Sequence, residues 1–102
     1  MEKKNKTYKL TAKLWIYPGE TANWHFLTIP KEVSTEIRAL HAKNARGFGS
    51  LPVEVAIGKT IWNTSVFPDT RSGTYVLPIK AAVRKKEDIY ADESVTFSIV
   101  IR

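Results

Sequence analysis

The sequence contains no cysteine and only two histidines, and it has no long uninterrupted run of apolar residues. Without cysteine, the chain forms no disulfide and offers no catalytic thiol and no cysteine-ligated zinc or iron–sulfur site. A membrane-spanning helix needs about 18 consecutive apolar residues, and a secretory signal needs an apolar N-terminal segment. Because neither pattern is present, we expect a soluble protein that stays in the cytoplasm and has no membrane partner.

Groups of side chains that carry catalysis are also missing. The common enzyme chemistries need a nucleophile with its base, two carboxylates in one cleft, or a cluster of metal ligands. His25 lies in a predicted strand and His41 at a predicted helix end, and neither has a second ligand at a metal-binding spacing. The sequence therefore predicts no enzyme, no catalytic residue, no metal site and no cofactor.

The length and charge of the chain indicate one mildly basic domain. The 102 residues suffice for a single hydrophobic core. Sixteen Lys and Arg against ten Asp and Glu give a net charge of +6, which favours a polyanionic partner such as nucleic acid. Three of the lysines fall in residues 1–6, which we interpret as a flexible basic tail before a single β-barrel domain at residues 7–102.

Alternating apolar and polar residues predict most of the strands. Residues 7–16 predict a first strand whose last inward-facing residue is Ile16. Residues 24–29 predict a second strand with large side chains on both faces, so we leave its buried face open. Residues 50–57 predict a third strand, and Pro52 places that strand at a sheet edge because proline lacks the N–H that a central strand uses.

A two-residue turn connects the third strand to the next one. Gly58 and Lys59 have the composition of a tight hairpin with glycine first, and the returning strand covers residues 60–67. Turn residues then separate this hairpin from a short strand at residues 74–77, and clean alternation predicts a last strand at residues 95–101.

Two prolines mark the expected starts of helices, because proline suits the first helical turn. After Pro30, a stripe of three apolar residues predicts a helix that runs to about Lys43. Pro78 opens a second short helix, in which Lys80 takes the third position. The apolar stripe of the first helix consists of Val33, Ile37 and Leu40.

A weak internal repeat is found when Pro30 and Pro78, 48 residues apart, are superposed. Each half then consists of a strand, a helix and a strand, and a unit of this size cannot cover its own apolar face. We therefore predict a mainly β fold, a small closed or partly open β-barrel built from two pseudo-symmetric β-α-β halves with two short helices.

The second predicted helix carries the strongest candidate for a binding site. A cation at its third position, Lys80, opposes the helix dipole, and an anionic ligand would explain it. Lys80 and Arg84 share one face, and with the free N–H groups at the helix start they would bind a carboxylate or phosphate. Arg46 would join them if the glycine-rich bend folds toward this helix. The alternative is that these basic residues only solvate a short helix.

Two further clusters are candidates, and each has a simpler explanation. Hydroxyl and aromatic side chains near one loop suit a small-ligand pocket, although aromatic residues in strands usually pack in the core. A basic and aromatic stripe on the outward face of the first strand could stack single-stranded bases, although lysines also protect an edge strand from aggregation. The first cluster is Thr64, Ser65, Phe67 and Tyr75, and the second is Lys9, Lys13, Trp15 and Tyr17.

Four ordered motifs resemble one family across nearly the whole chain. They run from Trp24 to Val33, from Arg46 to Ser50, from Thr64 to Pro68 and from Gly73 to Arg84. These motifs are similar to the family known as domain of unknown function 1905. The resemblance implies a small bacterial double-split β-barrel, distantly similar to the swapped-hairpin barrels of AbrB-type regulators, with no assigned reaction or ligand.

The resemblance has one departure and one implication for partners. Asp92 and Glu93 stand where relatives commonly have Gly-Asp, which puts the geometry of the last turn in question. Family members can be fused to a module linked with bacteriocin protection, so the resemblance implies that a protein partner of this kind would act in trans.

Two functions follow as hypotheses. The favoured one is a non-enzymatic binding module with a basic pocket that recognises a small anionic ligand or a peptide. The alternative is a nucleic-acid-binding barrel, which the net charge of +6 and the resemblance to DNA-binding regulators support.

Overall fold

The computed structural model describes residues 6–102, which form seven strands and two α-helices. The predicted tail lies outside the described residues except for Lys6, whose ammonium group is 2.9 Å from a carboxylate oxygen of Glu36. Within the described chain, no helix has the length and apolar character needed to cross a membrane. The strands are β1 (Thr7–Lys13), β2 (Trp15–Pro18), β3 (Asn23–Thr28), β4 (Leu51–Ile57), β5 (Thr60–Asp69), β6 (Thr74–Pro78) and β7 (Ser94–Ile101). The helices are α1 (Lys31–His41) and α2 (Ala81–Glu87), and two single-turn 3-10 helices, Ala42–Asn44 and Gly47–Gly49, follow α1.

The strands form one antiparallel sheet in the order β1-β7-β4-β5-β6-β3-β2. The long strand β5 has two neighbours, since residues 60–66 pair with β4 and residues 67–69 pair with β6. β1 and β2 stand at opposite ends of this order, yet only Leu14 separates them in the chain. The sheet is therefore curved into a small, partly open barrel, which confirms the predicted fold class.

The bend between β1 and β2 is fixed at Leu14. Its side chain is fully buried, its N–H donates to the carbonyl of Glu93 at 2.9 Å, and its carbonyl accepts from the N–H of Asp92 at 2.7 Å. The prediction of one continuous strand over residues 7–16 is therefore wrong, and Ile16, beyond the bend, is exposed. Asp92 has a φ of 70°, a left-handed conformation that glycine favours and aspartate tolerates, so the turn needs no glycine here.

β3 and β6 pair where the two halves of the chain meet. The N–H of Ile29 donates to the carbonyl of Tyr75, and the N–H of Ile79 donates to the carbonyl of His25, both at 2.8 Å. These two hydrogen bonds are equivalent, and they relate the halves by 50 residues rather than by the 48 that the superposed prolines indicate.

The 50-residue relationship corrects the start of α2. It aligns Pro30 with Lys80, and each of these residues immediately precedes its helix. Pro78 instead ends β6, opposite Phe26 of β3. The prediction that Pro78 opens the helix and places Lys80 at its third position is therefore wrong, because Pro78 is still held in the sheet by β3.

α1 contacts the barrel through a face that includes two of the three residues of the predicted apolar stripe. Ile37 is fully buried and Val33 packs against the core as predicted, but Leu40 is 56% exposed. Ser34 is fully buried instead, and its Oγ donates to the carbonyl of Ile29 and accepts from the N–H of Tyr75, each at 3.0 Å. These bonds satisfy a hydroxyl group in the core and tie α1 to both halves of the chain.

β4 lies in the middle of the sheet, between β7 and β5. The prediction that Pro52 places this strand at an edge is therefore wrong. The carbonyl of Pro52 accepts a hydrogen bond from the N–H of Arg102, and β4 begins to pair with β7 at the next residue, Val53. The N–H that proline lacks would therefore face only the end of β7. The alternating apolar residues of both strands are buried as predicted: Leu51, Val53, Val55 and Ile57 in β4, and Val95, Phe97, Ile99 and Ile101 in β7.

The hairpin between β4 and β5 turns at Gly58 and Lys59, as predicted. Gly58 has a φ of 56°, and a Cβ atom at this position would collide with the carboxylate of Glu87 in α2. The hydroxyl of Thr60 donates to that carboxylate at 2.5 Å, which joins the hairpin to the end of the helix.

Gly58→Ala should lower the free energy of unfolding by about 1–2 kcal/mol, because alanine disfavours a left-handed backbone and its methyl group displaces Glu87. Urea denaturation of the purified variant measures this change. Gly47→Ala is the matched control, because an added Cβ there has no atom within 4 Å and its φ lies outside the left-handed region. If Gly58→Ala were as stable as the wild type, this geometry of the hairpin would be wrong.

Candidate functional site

A cavity of about 390 Å³ opens between β3, β5 and the start of α2. We name it the basic pocket, because the described residues of its walls include two cationic side chains, Lys80 and Arg84, and no carboxylate. Residues 6–102 contain no group of three histidine, aspartate or glutamate side chains that could hold a metal ion. The walls of the basic pocket comprise Ala22, Asn23, Trp24, His25, Trp62, Asn63, Thr64, Pro78, Ile79, Lys80, Ala81 and Arg84.

Two hydrogen bonds hold Arg84 in the basic pocket. Its Nε donates to the carbonyl of Ile79 at 3.1 Å, and its Nη1 lies 3.2 Å from Nε2 of His25. Because a guanidinium group has no acceptor, Nε2 of the histidine must accept this hydrogen bond. In the part of the chain that the structure describes, Arg84 has no carboxylate partner, so its charge is not neutralised by an ion pair.

The surroundings of His25 favour its neutral form. Burial lowers its pKa below the usual 6.5, the charge of Arg84 lowers it further, and the backbone of Asn23 opposes the shift. A neutral ring that accepts at Nε2 carries its proton on Nδ1. Nδ1 is buried and has no side-chain hydrogen-bond partner among residues 6–102. His25 therefore orients Arg84 without adding a second charge beside it.

The position equivalent to the basic pocket, beside α1 in the other half of the barrel, is filled by side chains. Ser34 and Arg84 occupy the same place in their helices, and each donates to the carbonyl five residues earlier, at 3.0 and 3.1 Å. Their partners on the neighbouring strand are Tyr75 and His25. Tyr75 is only 3% exposed, and the guanidinium of Arg38 lies 5.5 Å from its ring centre. The pocket therefore exists where arginine and histidine replace serine and tyrosine.

A second cavity of about 300 Å³ adjoins the basic pocket, and we name it the aromatic groove. Trp24 and Pro78 line both cavities. Trp24 stacks on Phe26, with ring centres 6.3 Å apart and ring planes 8° apart. Among the described residues no charged side chain lines the groove, whose walls are Tyr17, Trp24, Phe26, Phe67, Val76 and Pro78.

The two cavities bring together four of the residues that sequence reasoning singled out for ligand binding. Lys80, Arg84 and Thr64 line the basic pocket, and Phe67 lines the aromatic groove. Lys80 reaches the pocket as the residue before α2, not as a member of the helix. The shared location of Lys80 and Arg84 therefore comes from the junction between β6 and α2.

The structure places the other three residues of that set elsewhere. Tyr75 is buried in the core beside α1. Ser65 lies on β5 opposite Pro52, outside the walls of both cavities. Arg46 is exposed in the turn that precedes β4, also outside those walls. The glycine-rich bend thus leaves Arg46 out of the basic pocket.

The basic and aromatic stripe is divided by the bend between β1 and β2. Lys9 and Lys13 are exposed on β1. Trp15 on β2 is partly buried, and its Nε1 donates to the hydroxyl of Thr28 at 2.8 Å. Tyr17 is 49% exposed and lines the aromatic groove. The lysines and the aromatic rings therefore lie on different strands of the curved sheet.

Sequence reasoning missed the contact between His25 and Arg84 in the basic pocket. His25 lies 59 residues from Arg84 in the chain, and only the pairing of β3 with β6 brings the two together. The signal was present in the repeat: an offset of 50 residues aligns His25 with Tyr75 and Ser34 with Arg84. The offset of 48 that the prolines suggest hides this correspondence.

The lowered pKa of His25 predicts a specific loss of stability in mild acid. The folded protein binds fewer protons than the unfolded chain below about pH 6.5, so the free energy of unfolding decreases as the pH falls from there toward the folded pKa. Urea denaturation between pH 7.5 and 5.5 measures this slope, and His25→Gln should reduce it. His41→Gln is the matched control, because His41 lies outside the basic pocket. An NMR titration of His25 with a midpoint at or above 6.5 would contradict the burial of this side chain and its contact with Arg84.

Comparison with known proteins identifies the family but no activity. No curated protein matches this chain. A family model described as Domain of unknown function (DUF1905) matches residues 11–99, which include every strand and both helices at least in part. The match confirms the resemblance found from the four sequence motifs. The chain therefore belongs to the family described as Domain of unknown function (DUF1905).

Proposed function

We propose that the protein is a binding module that recognises a carboxylate or phosphate group in the basic pocket. The observation that carries this proposal is the fixed guanidinium of Arg84, which lines a cavity with no carboxylate among its described residues. An arginine whose charge is partly desolvated and not paired is ready to bind an anion, because the folded chain has already ordered the side chain.

Each polar group in the basic pocket has a part in this recognition. Arg84 uses the N–H of Nε and one N–H of Nη1 within the protein, so the second N–H of Nη1 and both of Nη2 remain for a ligand. Lys80 is exposed at the mouth of the pocket and adds a second cation. Asn63 and Thr64 of β5 also line the pocket and are neutral residues with hydrogen-bonding groups, and Trp62 beside them lowers the local dielectric.

Arg84→Ala should weaken the binding of inorganic phosphate or citrate at least tenfold, because one charge-assisted hydrogen bond is worth about 1.5–3 kcal/mol. Isothermal titration calorimetry and NMR chemical shifts of the pocket residues measure the affinity. Lys85→Ala is the matched control, since it removes an exposed cation of α2 that does not line the pocket. Circular dichroism checks that both variants fold, and Arg84→Lys should bind with intermediate affinity. Equal affinity of wild type and Arg84→Ala would overturn the proposal.

Nucleic-acid binding is the second candidate, supported by the net charge of +6 and by the exposed side chains of Lys9 and Lys13. Binding of this kind loses affinity linearly with the logarithm of salt concentration, with a slope of about −0.9 per neutralised phosphate on duplex DNA. Retardation of an oligonucleotide that is lost in Lys9→Ala/Lys13→Ala but unchanged in Arg84→Ala would favour this candidate over the pocket. The division of the stripe between β1 and β2 favours the pocket.

A further inference from the structure

The basic pocket and the aromatic groove form one continuous surface with its charge at one end. Trp24 and Pro78 belong to both cavities and make the boundary between them. On one side lie Lys80 and Arg84, and on the other side the described walls are aromatic, aliphatic or proline side chains. A ligand that fills both cavities therefore carries its negative charge at one end and a large apolar group beside it.

We propose that this surface binds the C-terminus of a polypeptide that carries a large apolar residue within its last few positions. The inference rests on the proposed function, because the terminal carboxylate would occupy the basic pocket beside Arg84. The neighbouring apolar side chain would lie in the aromatic groove, against Trp24 and Phe67. Asn23 and Asn63 also line the basic pocket, and an amide side chain can donate to and accept from a peptide main chain.

The distribution of charge favours this ligand over a nucleic acid. A single strand of nucleic acid carries a phosphate at every nucleotide, so a site for it needs cations along its whole length together with aromatic rings for stacking. The two cations of this surface are confined to the basic pocket, and the aromatic groove has none among the described residues. One terminal carboxylate followed by an uncharged chain matches that pattern.

The exposure of the groove favours the end of a long chain over a free small molecule. Pockets for small molecules usually bury 70–90% of the ligand surface. Here the rims remain open, with Trp24 57%, Tyr17 49% and Phe67 37% exposed. Large apolar side chains clustered at an open surface indicate an interaction site whose partner covers them on binding. A polypeptide end provides that cover while the rest of its chain continues into solvent.

The experiment compares four probes by isothermal titration calorimetry against the full chain. The first is a pentapeptide of glycine and serine that ends in phenylalanine with a free carboxylate. The second is the same peptide as its C-terminal amide, the third ends in glycine, and the fourth is N-acetylphenylalanine. We expect the first peptide to bind at least tenfold more tightly than the amide, because the charge is lost, and at least tenfold more tightly than the glycine peptide, because an aromatic ring is no longer buried.

Two variants separate the groove from the pocket. Tyr17→Ala should weaken the phenylalanine peptide at least threefold and leave the affinity for inorganic phosphate unchanged, because Tyr17 lines only the aromatic groove. Tyr90→Ala is the matched control, since Tyr90 is a 62% exposed tyrosine outside both cavities and should change neither affinity.

The outcomes distinguish the two proposals. If phosphate binding depends on Arg84 but the phenylalanine and glycine peptides bind equally, the inference fails while the proposed function stands. If N-acetylphenylalanine binds as tightly as the peptide, the ligand is a small aromatic carboxylic acid and the inference about a polypeptide fails. If neither phosphate nor any peptide binds, both proposals fail. An oligonucleotide that displaces the peptide and binds with a higher affinity than the peptide would also overturn the inference.

Discussion

The backbone hydrogen bonds between β3 and β6 determine where both helices begin, and therefore where Ser34 and Arg84 lie. Ile29 and Ile79 each donate to a carbonyl of the opposite strand, and one residue later the chain leaves the sheet for its helix. This register places the fourth residue of each helix beside the opposite strand. Arg84 reaches His25 for the same geometric reason that Ser34 reaches the backbone of Tyr75.

The two halves show how one geometry encloses a polar side chain in one place and leaves a cavity in another. In the first half, a small hydroxyl is fully satisfied by two hydrogen bonds, and a large aromatic ring fills the space beside it. In the second half, Arg84 is too long and too polar to be enclosed in the same way, and the smaller imidazole of His25 leaves room for a cavity. A buried charge without a partner is unfavourable, so Arg84 remains at a surface that water or an anion can reach.

Local patterns in the sequence predict the elements of this fold better than their junctions. The alternation of apolar and polar residues predicts the buried faces of β4 and β7, and Gly58 predicts the hairpin. Both features depend only on residues that are close together in the chain. The bend at Leu14 depends on hydrogen bonds to Asp92 and Glu93, which are far away in sequence. The sequence predicts that Lys80 and Arg84 lie together, although the junction between β6 and α2, and not a shared helix face, places them there. His25 can be added only once the register of two distant strands is known.

The contact between Arg84 and His25 also links the charge of the basic pocket to pH. The positive charge of Arg84 is one of the causes that lower the pKa of His25. An anion bound to the guanidinium would offset that charge, so the pKa of His25 would rise toward its ordinary value in the complex. By thermodynamic reciprocity, a ligand that raises the pKa of a group binds more tightly when that group is protonated. Protonation of His25 would add a third positive charge to the pocket, at the expense of the hydrogen bond that Nε2 accepts from Arg84.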